Sequence, residues 1–216
     1  MGLRKGKNRS FAMIAAALLA QATGVAMATE EPAYEVVSSH GDVEIRRYQP
    51  MILAETRVDS RFEEAGNEAF RRLFGYISGN NTTRSKIAMT APVVQEPTSQ
   101  KIAMTAPVVQ EADASGWRVA FVVPSEFSWE TTPQPTDSRV ELRLVPERTM
   151  AVLRFSGTWG EARFAEHERE LRAVVEELGL RAVGEAVYAR YNPPFTPWFM
   201  RRNEVMIPVA RVENGD

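Results

Sequence analysis

The side chains that could do chemistry in this sequence are few and scattered. It holds two histidines, His40 and His167, and no cysteine. Without cysteine there are no disulfides, no thiolate metal centres and no thioether attachment of a cofactor. No G-x-S-x-G, H-E-x-x-H or phosphate-cradling glycine loop occurs, and no carboxylates fall at metal-ligand spacing. Ser156-Gly157-Thr158 offers hydroxyls, with no base beside them in the sequence. Glu161, Glu166, Glu168, Glu170, Glu176 and Glu177 alternate with Arg163, Arg169 and Arg172, the pairing pattern of a solvated helix face. These residue types point to binding rather than catalysis.

The most distinctive stretch is Tyr191 to Glu204, YNPPFTPWFMRRNE. Pro193, Pro194 and Pro197 stiffen it, while Phe195, Trp198, Phe199 and Met200 are large apolar groups carried on a loop. Rigid loop aromatics wall an apolar pocket at little entropic cost. Arg201 and Arg202 could fork onto a ligand carboxylate. In the alternative, the loop packs its aromatics onto the core and pairs its arginines with Glu204 and neighbours. His40, beside Gly41-Asp42, reads as an exposed turn histidine. His167 lies three residues after Phe164 and four before Leu171, on or beside an apolar helix face. It is either a core-edge histidine bonded to backbone or an axial metal ligand.

These residues need elements to hold them. Tyr34 to Ser38, Val43 to Tyr48, Met51 to Val58, Trp117 to Val123, Arg139 to Val145 and Met150 to Phe155 alternate as strands, as do Ala186 to Tyr191 and Glu204 to Val209. Phe62, Ala65, Ala69, Phe70, Leu73 and Ile77 recur at helical spacing, which predicts a helix over Ser60 to Ile77. Ser60 is its expected cap, with Glu63 completing a capping box and Gly79-Asn80-Asn81 ending it. A second helix is expected from about Gly160 to Leu178, closed by Gly179. Residues 125 to 138, rich in Ser, Thr and Pro, read as a surface loop.

Two repeats are visible. Lys86 to Glu96 and Lys101 to Glu111 are the same eleven residues, KIAMTAPVVQE, at a period of 15. Each alternates before its proline as a strand entering an edge or bulge would, and a duplication that lengthened a hairpin accounts for the pair. More broadly, Val43-Glu44-Ile45-Arg46 resembles Val140-Glu141-Leu142-Arg143, and each leads into a Met-led strand and a helix. Two strand–strand–helix–strand units about a pseudo-twofold axis fit this order. Helices then flank the outside of a mostly antiparallel, barrel-like sheet.

The ends and the charge bound the setting. Arg4, Lys5, Lys7 and Arg9, the apolar run Phe11 to Ala20 and Ala26-Met27-Ala28 have the order of a secretory signal. Ten apolar residues are too few to span about 30 Å of hydrocarbon. Residues 1–28 are therefore expected to be removed, leaving 29–216 as one exported domain, in a bacterial periplasm, with no stable membrane anchor. Without the four cations of the signal, 22 Lys and Arg face 28 Asp and Glu, a formal charge of −6. Such a surface does not attract phosphate backbones, so no nucleic-acid partner is expected.

The sequence resembles the SOUL haem-binding family. The likeness is carried by Tyr34 with Val43-Glu44-Ile45-Arg46-Arg47-Tyr48, by Phe74-Gly75-Tyr76-Ile77-Ser78-Gly79-Asn80, by the IAMTAPV stretches and by YNPPFTPWFMRRNEV. It implies an α+β fold: a distorted antiparallel β-barrel flanked by two helices, in two pseudo-symmetric halves. It also implies non-covalent binding of haem or a related tetrapyrrole, as carrier, buffer or sensor, and no catalysis common to the family. The implied site is an apolar groove between the first helix and the loop before the last strand. By position that is Phe70 and Phe74, flanked by Asn67 and Arg71, facing Phe195, Trp198 and Met200, with Arg201 or Arg71 near the propionates. Some members carry a proposed axial histidine after the E-I-R triplet, where this chain has Arg47. The resemblance therefore implies hydrophobic capture, with His167 as the alternative axial ligand. The fold likeness extends to effector-binding domains of multidrug-responsive regulators, which implies another planar amphiphile as the alternative ligand. A third reading is an interaction protein whose duplicated strands offer an edge for pairing.

Overall fold

Alternating residues form strands here and the two periodic stretches form helices. In a computed structural model that describes residues 29–82, 100–113 and 116–211, the chain opens with β1 (Tyr34–His40), β2 (Val43–Tyr48) and β3 (Met51–Val58). Helix α1 (Phe62–Ile77), β4 (Asn81–Thr82), β5 (Val108–Asp113), β6 (Gly116–Val122) and β7 (Gln134–Pro135) follow. The second half holds β8 (Val140–Val145), β9 (Arg148–Phe155), α2 (Glu161–Glu177), β10 (Leu180–Ala182), β11 (Val187–Arg190) and β12 (Asn203–Arg211). The expected signal segment and the first KIAMTAPVVQE copy lie outside the described residues.

Two short linkers decide the shape. The large sheet is antiparallel, in the order β1-β2-β9-β12-β11-β5-β6-β3-β8, with β10 on β12. Along it β2 and β3 stand six strands apart, about 29 Å if the sheet were flat. Yet only Gln49-Pro50 joins them, a reach of about 11 Å. The sheet must therefore curl until its two ends nearly meet. It stops short of closure: β1 and β8 each pair on one side only, so the expected barrel is an open, strongly curved sheet.

The two halves are related by register. Val43 faces Leu153 and Tyr48 faces Arg148, while Val140 faces Thr56 and Val145 faces Met51. A shift of 97 residues, from Val43 to Val140, turns one ladder into the other. The VEIR and VELR repeats then have one physical reason. Arg46 and Arg143 both point to the concave face, where each meets a buried carboxylate, Glu204 at 3.1 Å and Glu55 at 2.7 Å respectively.

Both helices cover the convex face. α1 buries Phe62, Ala65, Ala69, Leu73, Tyr76 and Ile77 over β3, β6 and β8; α2 buries Phe164, Leu171 and Val175 over β9, β10 and β12. A fully buried leucine such as Leu73 contributes about 1.5–3 kcal/mol. Three local expectations change. Arg61, not Ser60, precedes the first helical residue, and Glu63 accepts the amide of Glu161 at 3.2 Å, so it caps α2 instead of closing a box on α1. In the second repeat copy only Val108 onward is strand. Ile102 instead packs under α1, its amide on the Ile77 carbonyl at 2.8 Å, and the Thr105 hydroxyl bonds the Val122 carbonyl. β11 and β6 occupy both sides of β5; the expected hairpin of the two copies falls on residues outside the described ones. Finally, the stretch at 125–138 is more than a surface loop: Thr132 is buried and the Tyr76 hydroxyl bonds the Pro133 carbonyl.

Candidate functional site

Helical spacing puts Phe70 and Phe74 one turn apart on α1, where the sheet leaves them partly uncovered. They are 37% and 46% exposed, with ring centroids 5.8 Å apart and planes within 15° of parallel. The edge of Phe70 meets Phe121 of β6 at 5.5 Å, which fixes the stack to the sheet. Asn67 and Arg71 flank it, exposed, and neither makes a hydrogen bond or ion pair among the described residues. An apolar step with a free cation beside it is what an amphipathic ligand needs.

The loop after β11 presents a second apolar surface. Phe195 is 85% exposed, and Trp198, Phe199 and Met200 are each about 60% or more exposed, so these side chains do not pack onto the core. The backbone beneath them is well held. Thr196 donates to the Pro193 carbonyl at 3.0 Å and Met200 to that of Pro197 at 2.9 Å. Arg201 donates from Nε to the Thr196 carbonyl and from Nη2 to the Pro194 carbonyl, both at 2.8 Å, and lies 4.2 Å over the Trp159 ring. It serves the loop's own shape. Arg202 fulfils the other alternative, pairing with Glu204 at 2.9 Å and with Glu31 at 2.9 Å.

The base of that loop is a buried charge cluster. Glu204 is completely buried; it accepts from Arg46 at 3.1 Å, Tyr191 at 2.6 Å and Arg202 at 2.9 Å. Arg202 also stacks 3.7 Å over the Tyr191 ring, and its amide bonds Asn192 Oδ1 at 2.6 Å. Burial, the largest single effect, acts to lower the pKa of Arg46 and of Arg202. Glu204, with Tyr48 and Glu44 at Arg46 and with Tyr191 and Glu31 at Arg202, nevertheless holds both above the ordinary arginine range. Burial, reinforced by Glu204, holds Tyr191 well above the usual tyrosine range. Tyr48 is pushed up to about 12 by burial, against the opposing hydrogen bond from Arg46. The two arginines and two tyrosines are thus fixed in one protonation state near neutrality, which makes the cluster a structural anchor.

Arg190, the last residue of β11, connects helix and loop. One Nη lies 2.6 Å from where a side chain on Gly66 of α1 would begin, so any larger residue there must displace the guanidinium. The guanidinium sits 4.9 Å from the Phe62 ring and 5.7 Å from that of Trp159, the same indole that carries Arg201. Burial pushes the Arg190 pKa down to about 10, with Glu63 opposing. The two apolar surfaces are therefore tied through Arg190 and Trp159, although no loop ring touches Phe70 or Phe74 among the described residues.

Neither histidine contacts these aromatics among the described residues. His40 is exposed, its Nε2 3.0 Å from Ser38 Oγ. His167 sits at the edge of the other helix's core, its ring centroid 4.0 Å from that of Phe155 and its Nδ1 3.1 Å from Glu170. Its partner is thus a carboxylate rather than the backbone. No group of three His, Asp or Glu is placed to hold a metal ion among the described residues. Sequence reading missed Arg190 and Trp159 and gave Tyr191 no role; an arginine and a tyrosine immediately before a proline-rich loop were the available signal.

Comparison with known proteins matches this outline. The family model described as SOUL heme-binding protein fits residues 29–208. Heme-binding protein 2 of Homo sapiens is 30% identical over 191 residues, covering 84% of this chain and 87% of its own. Heme-binding protein 1 of Mus musculus is 28% identical over 153 residues, covering 70% and 75%. Among solved structures, the C-terminal domain of EcmrR superposes with a TM-score of 0.56 over 83% of this chain and 99% of its own. At 12% identity that likeness is one of fold alone.

Proposed function

The chain belongs to the SOUL heme-binding protein family, and from that premise we propose that it binds haem or a related tetrapyrrole non-covalently on the surface between α1 and the loop 191–202. The observation that carries this reading is the exposed Phe70–Phe74 stack with the unpaired Arg71 beside it. A porphyrin is a flat apolar disc with two carboxylates on one edge. It needs apolar walls and a cationic rim, and exposed apolar surface that stays uncovered marks such a site. Phe70 and Phe74 offer one wall; Phe195, Trp198 and Met200 offer the other. Arg71 fits the rim better than Arg201, which already holds two carbonyls.

Capture is then hydrophobic, without an axial histidine, and the protein acts as carrier, buffer or sensor rather than as an enzyme. Titration of the protein with haem, followed by Soret absorbance, tests the reading: saturable 1:1 binding supports it, and unsaturable uptake overturns it. The cationic, apolar and Ala-x-Ala order of residues 4 to 28 supports an exported protein, and the family match begins at residue 29. N-terminal sequencing after cell fractionation should find a start near Thr29; cytoplasmic protein beginning at Met1 would reject export.

A further inference from the structure

A second site follows from a charge left without a partner inside the curl of the sheet. Strands of both halves enclose a cavity of ≈ 20 Å³ there, walled by Met51, Leu53, Val122, Met150 and Met206. Such a space admits about one small group. Arg148, at the start of β9, also lines it. Its guanidinium makes no hydrogen bond or ion pair among the described residues, and its Nε is buried without an acceptor.

The acids nearby are already taken. Glu55 is bound by Arg143 and Arg118, Asp113 by Arg57 and Arg118, and Glu111 lies 3.9 Å from Arg143. Among the described residues that leaves Arg148 as a cation with no ion-pair partner on this side of the concave face. Burial lowers its pKa and the neighbouring Arg143 lowers it further, with Glu111 opposing. Holding a partly buried guanidinium without a partner is costly, so this one calls for an anion. The rest of the lining is apolar except for Tyr48 and Tyr191, whose hydroxyls are already engaged by Arg46, Met206 and Glu204, so the anion should carry an apolar body.

We propose that Arg148 and the methionine-lined cavity form a binding site for a short-chain monocarboxylate, separate from the haem surface on the convex side. The carboxylate forks onto the guanidinium, as this pair of groups prefers. The short tail lies among Met51, Met150 and Met206, whose flexible thioethers can repack to widen the cavity.

The test is the thermal unfolding of haem-free protein titrated with butyrate, and with chloride at equal ionic strength. Butyrate should raise the wild-type Tm progressively, as a ligand of the folded state does, and chloride should not match it. Arg148→Met should unfold at or above the wild-type temperature without ligand, and its affinity for butyrate should fall at least about tenfold. Arg148→Lys, which keeps the charge but not the fork, should bind with intermediate affinity. No butyrate effect on the wild type, an equal effect of chloride, or undiminished binding by Arg148→Met would overturn the proposal. So would a marked loss of Tm in Arg148→Met without ligand, which would reveal a structural partner. Phe74→Ala should leave the butyrate response unchanged, which separates this site from the haem reading.

Discussion

Arg201 stands 4.2 Å over the indole of Trp159 while its guanidinium holds the carbonyls of Thr196 and Pro194. It ties the aromatic loop to itself and to the start of α2, which decides what its removal should do. In Arg201→Ala the loop loses its brace, so limited proteolysis should cut within 192–200 far faster while Tm changes little. Haem affinity should fall through disorder of the wall, and Arg201→Lys should not restore it, because one ammonium does not reproduce the fork. Full rescue by lysine would instead mean that only the charge matters, as in direct propionate pairing.

Glu204 is buried among Arg46, Arg202 and Tyr191, so removing its charge takes the buried partner from two guanidinium groups and leaves them only the more exposed Glu44 and Glu31. Breaking a buried pair in this way costs about 3–5 kcal/mol. Glu204→Ala should therefore lower the urea midpoint strongly. Glu204→Gln should recover only part of the loss, because it keeps the hydrogen bonds but not the charge. A midpoint unchanged in both variants would mean that the cluster contributes nothing net.

One copy of the repeat should be dispensable. Asn81 donates from Nδ2 to the Gln100 carbonyl at 2.7 Å and accepts the Gln100 amide on Oδ1 at 2.9 Å, so the chain on either side of residues 82–99 is already in contact. Deleting residues 86–100 places Ser85 where Gln100 stood, within easy reach of Asn81 across four residues. Both bonds use the backbone of residue 100, so serine can make them. The shortened protein should unfold cooperatively near the wild-type temperature; loss of cooperativity in circular-dichroism melts would show that both copies are needed.

Much of the fold was readable because burial imposes a period. The alternation in Val43 to Tyr48 and Met150 to Phe155, and the spacing of Phe62, Ala65, Ala69 and Leu73, follow directly from which face meets the core. The VEIR and VELR match revealed the twofold. What periodicity cannot show is a contact across 158 residues, such as Arg46 with Glu204. An arginine that forks onto two carbonyls, as Arg201 does, also looks in sequence like one waiting for a carboxylate. Lys101 to Pro107 alternates like a strand, yet Ile102 serves the α1 core and the segment joins no strand ladder. The exposed faces of Phe70, Phe74 and Trp198 became visible only once the sheet was seen to leave them uncovered.

The central claim is capture by apolar walls without iron coordination, since neither histidine contacts those walls. Parallel titrations with haem and metal-free protoporphyrin, on the wild type and on Phe74→Ala, test it most directly. The two porphyrins should bind the wild type within about tenfold of each other. Truncating Phe74 should weaken both alike, by roughly 30-fold or more if it is a binding hot spot worth ~2 kcal/mol. A strong preference for the iron form, together with a Soret shift on His167→Ala, would contradict the account and make His167 the axial ligand.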